Sequence, residues 1–265
     1  MSVVEFASDR MIASILLFVF GTAIGSFLNV VSRRLLRGES LTGRSHCEHC
    51  GQVLSARDLV PLLSFIILRG RCRYCRRPLS WQYPLVEGGT GLLFVSLWLA
   101  ATQPLGLLSY GVLLVSVSAL IVIFITDFWA QKIFDSVLLI GIASALLYRI
   151  LILTDLSGLG GDLLGALAVL LFLHSIRWVT RGRGLGDGDP PLGFFAALLV
   201  GFPLVLVQFF LAFVIGAAGG ILLIALRKKH LKDRIAFGPF LVVAALLTLF
   251  LGEPIWIWYL SVLGI

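Results

Sequence analysis

Charged residues are scarce in this chain, and their scarcity excludes a soluble globular fold. Of the 265 residues, 13% are charged and 59% are hydrophobic, and the mean hydropathy is +1.03. Soluble domains carry about 25% charged residues. Only 14 residues are acidic, so a carboxylate that falls beside a long apolar run requires a structural or chemical explanation. The composition is typical of a protein that crosses a membrane several times.

Long apolar runs predict an all-α polytopic membrane protein with about eight transmembrane helices. The first run, 11–31, is long enough to cross a hydrocarbon core of about 30 Å. Its N-terminal flank carries Glu5, Asp9 and a single Arg10 instead of a basic cluster, so we expect no cleaved signal peptide. Pro203 leaves open whether the sixth and seventh spans are two helices or one kinked helix. The further spans are predicted at 85–101, 106–125, 136–153, 162–178, 192–207, 208–226 and 237–262.

Only the segment 32–84 is long and polar enough to form a separate module. We therefore predict a first transmembrane helix in 1–31, a cytoplasmic module in 32–84 and a transmembrane bundle in 85–265. Small residues at helical spacing, such as Gly21 and Gly25, are expected to allow close packing between helices.

The positions of the basic residues predict the orientation in the membrane. Nineteen of the 21 Lys and Arg residues fall into four segments that the predicted spans place on one face. By the positive-inside rule, this face is cytoplasmic and the N-terminus lies outside. The formal net charge of +7 then reflects topology and contact with anionic membrane lipid, and we expect no nucleic-acid partner. The four segments are 32–84, the loop with Lys132, 177–183 and 227–234.

All four cysteines lie in the polar module as two Cys-x-x-Cys pairs, Cys47 with Cys50 and Cys72 with Cys75. Each pair can present two thiolates from a tight turn, and two such turns form the closed tetrahedral site of a structural zinc ion. A cytoplasmic location keeps thiols reduced, which argues against disulfides. We therefore predict that these four cysteines bind Zn²⁺. The two histidines beside the first pair are expected to be exposed loop residues.

Acidic residues stand at the cytoplasmic edges of two predicted spans. Asp127 ends the third span, and Asp187 and Asp189 lie between the fifth and sixth spans in a glycine-rich segment. An ionisable residue at membrane depth is costly and is therefore a candidate functional group. If helix packing brings the two clusters together, a pair of carboxylates can share one proton and activate water, as in aspartyl proteases. Alternatively, Asp189 before Pro190 simply caps the next helix. The residues alone leave both interpretations open.

We assign no function to the acidic residues on the predicted outer face of the membrane. Asp155, Asp162 and Glu253 fall at the outer ends of the predicted spans. We expect them to be ordinary solvated loop residues.

Several motifs occur in a fixed order along nearly the whole chain. They are Gly25-Ser-Phe-Leu-Asn-Val-Val, the two cysteine pairs, Pro61-Leu-Leu-Ser-Phe, Arg69-Gly-Arg-Cys-Arg-Tyr-Cys, Tyr83-Pro-Leu-Val-Glu87 and Phe237-Gly-Pro-Phe. Each fragment alone is weak evidence, but the series in register is specific. By these motifs the sequence resembles the type IV prepilin peptidases, which are bifunctional leader peptidases and N-methyltransferases of pilus and type II secretion systems.

The resemblance implies that Asp127 is the first catalytic acid. The second acid belongs to a Gly-x-Gly-Asp motif, which this sequence offers in two frames, ending at Asp187 or at Asp189. We prefer Asp189 because its frame also places the following leucine where the family has one. Two departures leave both acids in place: Phe134 replaces a usual Pro, and Pro191 replaces a usual Lys.

The resemblance also implies the substrates and the cofactors. Such an enzyme removes the leader from type IV prepilin or pseudopilin precursors at the cytoplasmic face of the bacterial inner membrane. It then transfers a methyl group from S-adenosylmethionine to the new N-terminal amine, and the motifs assign no residues to that cofactor. Two other classes are compatible with parts of the sequence. A proton- or cation-coupled transporter would use the paired acids, and a non-catalytic pilin assembly factor would use the cysteine module.

Overall fold

The computed structural model describes residues 3–101, 106–153, 156–182, 184–226 and 236–264, without the side chains of 3–9 and 156. Within these residues the chain is nearly all helical, and the only β structure consists of two isolated bridges in the cysteine module. The predicted all-α fold is confirmed. The helices are α1 (Val3–Arg37), α2 (Leu63–Ile67), α3 (Gln82–Ala100), α4 (Leu107–Ala130), α5 (Asp135–Ile152), α6 (Leu156–Val179), α7 (Asp189–Val200), α8 (Leu204–Ala225) and α9 (Gly238–Leu263).

Some residues used for the sequence predictions lie outside the described residues. They include Asp155, Arg183 and all the basic residues counted in 227–234. The orientation of the chain in the membrane therefore stays a prediction.

Seven of the described helices are long and apolar enough to cross a membrane, so the chain is a multi-pass membrane protein. The sixth predicted span, 192–207, differs from the structure. Its helix, α7, has 12 residues and a length of about 18 Å, which covers only part of a hydrocarbon core. It ends at Val200 because Gly201 adopts a positive φ of 76° and Pro203 follows. Of the two possibilities that Pro203 leaves open, the structure has two separate helices, α7 and α8.

The chain divides into two compact units, Met1–Gln103 and Pro104–Ile265. In the first unit, α1 packs against α3 at the predicted glycines. A Cβ atom on Gly21 would lie 2.7 Å from the Cα of Gly91, and one on Gly25 would lie 2.8 Å from the Cα of Glu87. The expected close packing by small residues is confirmed. The domain division at 31/32 and 84/85 stays a prediction.

Helix α7 is the buried centre of the second unit. Ten of its 12 residues are buried, which is expected for a helix that is apolar on every side. It packs against α5, where the ring of Phe195 occupies the space that a side chain at Gly141 would need. On α6, the side chain of Leu173 occupies the space that a side chain at Gly193 of α7 would need. Neighbouring helices thus fix the position of the residue at the N-terminus of α7.

A buried ion pair holds the opposite end of α7, contrary to expectation. Asp162 is only 2% exposed, so it is not a solvated loop acid. Its Oδ2 accepts a hydrogen bond from Arg149 Nε at 2.7 Å, and its Oδ1 accepts one from the backbone N–H of Phe202 at 2.7 Å. The Arg149 guanidinium also lies against Gly201, where a Cβ atom would collide with it. One carboxylate therefore joins α5, α6 and the turn after α7.

We predict that Asp162→Ala strongly destabilises the protein, because it leaves the Arg149 charge and the Phe202 N–H buried without an acceptor. Removal of one partner from a buried pair costs about 3–5 kcal/mol. Thermal unfolding in detergent should show a clearly lower midpoint for this variant. The double variant Asp162→Leu with Arg149→Met should recover part of the loss. A midpoint for Asp162→Ala equal to that of the wild-type chain would contradict this account.

Candidate active site

Asp127 lies in the last turn of α4 and is only 5% exposed. Its backbone carbonyl accepts a hydrogen bond from the N–H of Gln131 at 2.9 Å. Gln131 adopts the left-handed conformation, with a φ of 52°, and so ends the helix directly after the acid. The local sequence thus places a carboxylate at a helix end, inside the unit instead of on its surface.

Asp189 is the first residue of α7 and is also 5% exposed. The next two residues, Pro190 and Pro191, have no backbone N–H that would need an acceptor at the start of a helix. The Asp189 carboxylate does not cap α7, because Gly188 occupies the N-cap position. Instead, Asp189 Oδ2 accepts a hydrogen bond from the backbone N–H of Gly186 at 2.7 Å. The helix-cap interpretation of Asp189 therefore does not describe this structure.

The two aspartates meet at the N-terminus of α9. The backbone N–H of Gly238 interacts with both carboxylates, and Asp127 acts on Asp189 electrostatically. A Cβ atom on Gly238 would collide with Asp127 Oδ2 and would lie 3.2 Å from a methyl carbon of Leu192. Only glycine therefore allows the start of α9 to approach the acids this closely. Among the described residues, Asp127 Oδ2 has no hydrogen-bond partner, so one buried acceptor remains free for another group.

Three helix termini thus converge on one buried spot. The last turn of α4 supplies Asp127, and the N-termini of α7 and α9 supply Asp189 and Gly238. The N-terminus of a helix carries partial positive charge, which favours a nearby carboxylate. Two neighbouring acids in such a setting can hold one proton between them, which is the arrangement needed for acid and base catalysis by a carboxylate pair.

Asp187, the alternative second acid, lies elsewhere. Its side chain is 85% exposed and forms an ion pair with Arg177 near the end of α6. Asp187 therefore differs from Asp189 both in its exposure and in its partner.

Gly238 is a site residue that the sequence predictions missed. The sequence contained a signal: a Gly-Pro pair opens the last apolar helix. The predicted topology places this pair on the same membrane face as Asp127 and Asp189. That pair contributed to the family resemblance, but no contact with the aspartates could be inferred from it.

The four cysteines form a second cluster, in the first unit. The Sγ atoms of Cys47, Cys50, Cys72 and Cys75 all lie within 4.8 Å of one another, and those of Cys47 and Cys75 are 3.9 Å apart. A tetrahedral zinc ion with Zn–S bonds of about 2.3 Å separates its sulfur ligands by about 3.8 Å. The cluster therefore has the size and the donor atoms to hold a metal ion.

Matching backbone turns present the two cysteine pairs. In the first turn, the N–H of Cys47 donates to the carbonyl of Gln52 at 2.9 Å, and in the second the N–H of Cys72 donates to the carbonyl of Arg77 at 2.9 Å. Each turn needs one residue with positive φ after its second cysteine, namely Gly51 at 69° and Arg76 at 61°. His46 and His49 are exposed, as predicted.

The thiols differ in how readily they lose a proton. Burial raises the pKa of the Cys47 thiol, but hydrogen bonds from the backbone N–H groups of His49 and Cys50 and from neighbouring thiols outweigh it and lower the pKa to about 7. For Cys50, the backbone N–H of Gln52 lowers the pKa, but burial and the neighbouring thiols raise it to about 11. One thiolate thus forms near neutral pH, and a bound cation would favour loss of the remaining protons.

Comparisons with known proteins find two family models, one within each compact unit of the chain. Residues 19–101 match the family model described as the bacterial peptidase A24 N-terminal domain, and residues 114–221 match the type IV leader peptidase family. The first match contains the cysteine cluster, and the second contains Asp127 and Asp189. No solved structure matches this chain.

Similar proteins cover almost the whole chain. One from Aeromonas hydrophila, named prepilin leader peptidase/N-methyltransferase, is 34% identical over 93% of each chain. Proteins with the same name from Burkholderia pseudomallei and Bacillus subtilis are 32% and 28% identical, over 90% and 93% of this chain and 85% and 97% of their own. This chain is therefore an enzyme that belongs to the type IV leader peptidase family.

Proposed function

We propose that this enzyme is an intramembrane aspartyl endopeptidase that removes the leader from type IV prepilin-like precursors. The observation that carries the proposal is the pair of buried acids, Asp127 and Asp189, which both interact with the N–H of Gly238. They come from two separate helices, and within the described residues Oδ2 of Asp127 has no hydrogen-bond partner. The names of the relatives support the precursor as the substrate.

The proposed chemistry follows from two carboxyl groups that hold one proton. The ionised acid removes a proton from a water molecule, which attacks the carbonyl carbon of the scissile peptide bond. The protonated acid donates a hydrogen bond to the carbonyl oxygen. The proton taken from water then passes to the leaving amine nitrogen as the C–N bond breaks, and the pair returns to its starting state. These steps require no metal ion at the acids.

Asp189 is the proposed second acid, and Asp187 is not. Asp189 is buried beside Asp127, whereas Asp187 is exposed and paired with Arg177. A carboxylate in water that already has a cationic partner is poorly suited to share a proton with a buried acid. A side chain at Gly188 would collide with Ile133, so this glycine lets the segment before Asp189 pack closely against the residues after α4.

We further propose that the active site faces the cytoplasm from the bacterial inner membrane. The support is the positive-inside distribution, with Lys132 after Asp127 and Arg177 beside the segment that leads to Asp189. In this orientation, the apolar helix of a precursor lies in the bilayer while its leader meets the catalytic acids. Alignment by the membrane supplies part of the orientation that lowers the reaction barrier.

The second proposed activity is methylation of the new N-terminal amine, which the names of the relatives support. S-adenosylmethionine would supply the methyl group as an electrophile. For the metal, we propose a structural zinc ion held by the four cysteine thiolates, because their spacing and their four sulfur donors fit tetrahedral zinc. Such an ion would tie the two turns of the module together.

Asp127→Asn and Asp189→Asn should each lower precursor cleavage by about 10²-fold or more, because an amide can neither accept nor release the shared proton. Asp187→Asn is the matched control and should cleave at the wild-type rate. Mass spectrometry of a co-expressed precursor measures loss of the leader. Normal cleavage by Asp189→Asn together with loss of cleavage by Asp187→Asn would overturn the assignment of the second acid.

Gly238→Ala should lower cleavage although it changes no ionisable group, because the new Cβ atom displaces Asp127. Misplacement of a catalytic group by about 1 Å can cost about 10²-fold in rate. Gly111→Ala on α4 is the control, since a Cβ atom there meets no atom within 4 Å. Equal cleavage rates for the two variants would show that the close approach of α9 is not needed.

Elemental analysis of the purified chain should find about one zinc ion per chain, as expected for a closed four-cysteine site. The double variant Cys47→Ser with Cys50→Ser should lose it, because half of the sulfur ligands are gone. His49→Ser, which changes an exposed neighbour, should keep it. Stoichiometric zinc in the double cysteine variant would contradict the proposed ligand set.

A further inference from the structure

Helix α2 presents large apolar side chains on its outer side. Three of its five residues, Leu63, Ile66 and Ile67, are 53%, 69% and 65% exposed, and we call them the α2 patch. The residues between them, Ser64 and Phe65, face a cavity inside the first unit. Contact of aliphatic side chains with water is unfavourable. A contiguous apolar surface of this kind marks a site that contacts a membrane or another protein.

A strained turn fixes the direction in which the α2 patch faces. Leu62 has a φ of 58° and a ψ of −50°, and the N–H of Leu63 donates to the carbonyl of Pro61 at 2.5 Å. This conformation is a γ-turn of the type that bulky residues rarely adopt. The N–H of Leu62 in turn donates to Oε2 of Glu87 on α3 at 2.7 Å. The start of α2 is therefore tied to α3, and the exposure of its outer side is a property of the fold.

Helix α3, beside which α2 begins, is one of the helices that are long and apolar enough to cross a membrane. One side of α3 is exposed, with Leu85 at 68% and Leu92 at 62%. Leu62 lies next to this side, because a Cβ atom on Gly88 would be 3.7 Å from its Cδ2 atom. Gly88 is about 9 Å along the axis from the first residue of α3. The α2 patch therefore adjoins a surface that a bilayer covers.

Basic residues follow the α2 patch directly. Five exposed arginines occur within the nine residues 69–77. Arg73 pairs with Asp58, whereas the other four form no ion pair within the part of the chain that the structure describes. Trp81, which is 71% exposed, directly precedes α3, and tryptophan at the end of a membrane helix is typical of the headgroup region. The five arginines are Arg69, Arg71, Arg73, Arg76 and Arg77.

We propose that the α2 patch is inserted into the surface of the bilayer, with its aliphatic side chains among the acyl chains and the following arginines at anionic headgroups. A bilayer satisfies both features at once, because acyl chains and charged headgroups adjoin at its surface. The surface of a protein partner would need to match an apolar patch, a cationic rim and the exposed side of α3 together. The anchor holds the second cysteine turn close to the membrane, since Cys72 follows Ile67 by only five residues.

Photo-crosslinking of the full chain tests the contact with lipid. p-Benzoylphenylalanine replaces Ile66, or Ile67 in a second variant, and the chain is irradiated in nanodiscs of phosphatidylglycerol and phosphatidylethanolamine. Mass spectrometry of the intact chain measures the lipid adduct. Gln52, an exposed residue in the first cysteine turn, is the matched control position. The yield of lipid adduct at each α2 position should exceed that at Gln52 by about tenfold or more, because only the α2 side chains reach the acyl chains.

Nanodiscs of phosphatidylcholine alone test the role of the arginines without any further substitution. The yield at Ile66 should fall about fivefold, because the attraction between arginine and anionic headgroups is lost. Equal yields in the two lipid compositions would overturn the assignment of the arginines to anionic headgroups.

Unchanged thermal unfolding midpoints show that the labelled chains are folded. Lipid adducts at both Ile66 and Ile67 that are no more frequent than at Gln52 would overturn the anchor. Crosslinks from these two positions to a second copy of this chain, without lipid adducts, would also overturn it and assign the α2 patch to a protein interface. Neither measurement depends on cleavage or methylation, so the proposed function stands or fails separately.

Discussion

The constraint on which this structure depends is the burial of two carboxyl groups at one point inside an apolar helix bundle. Ionising an acid away from water is costly, and ionising two neighbouring acids is costlier still. Here the N-termini of α7 and α9 point toward Asp127 and Asp189, and the N–H of Gly238 interacts with both. The fold thus brings the acids together and supplies partial positive charge in place of water.

The rest of the second unit keeps that point fixed. Helix α7 is too short to cross the membrane, but it is buried on nearly every side, so its first residue cannot move without repacking its neighbours. At its other end, Asp162 and Arg149 hold the turn to α8 through a buried ion pair and a backbone hydrogen bond. In the first unit, the four cysteine thiols come together from two turns that have little helical structure of their own.

The sequence predicts the elements whose signals are local, and it fails where the signal depends on packing. Apolar runs locate the long helices, and the spacing of the cysteine pairs predicts their cluster. The end of α7 was misplaced, because hydropathy continues through Gly201 and only the backbone turn there ends the helix. Asp162 was assigned to solvent because its partner lies on another helix. The role of Gly238 was missed for the same reason, since the Gly-Pro pair marks a helix start but does not show which residues of other helices it contacts.

Infrared difference spectroscopy of the protonated carboxyl stretch at neutral pH tests the shared proton most directly. The account predicts a protonated carboxyl signal in the wild-type enzyme that disappears in Asp127→Asn and in Asp189→Asn, because either change leaves a single acid with no partner for the proton. The signal should persist in Asp187→Asn. Two fully ionised carboxylates in the wild-type enzyme, with spectra unchanged by either substitution, would contradict the claim that the acids act as one unit.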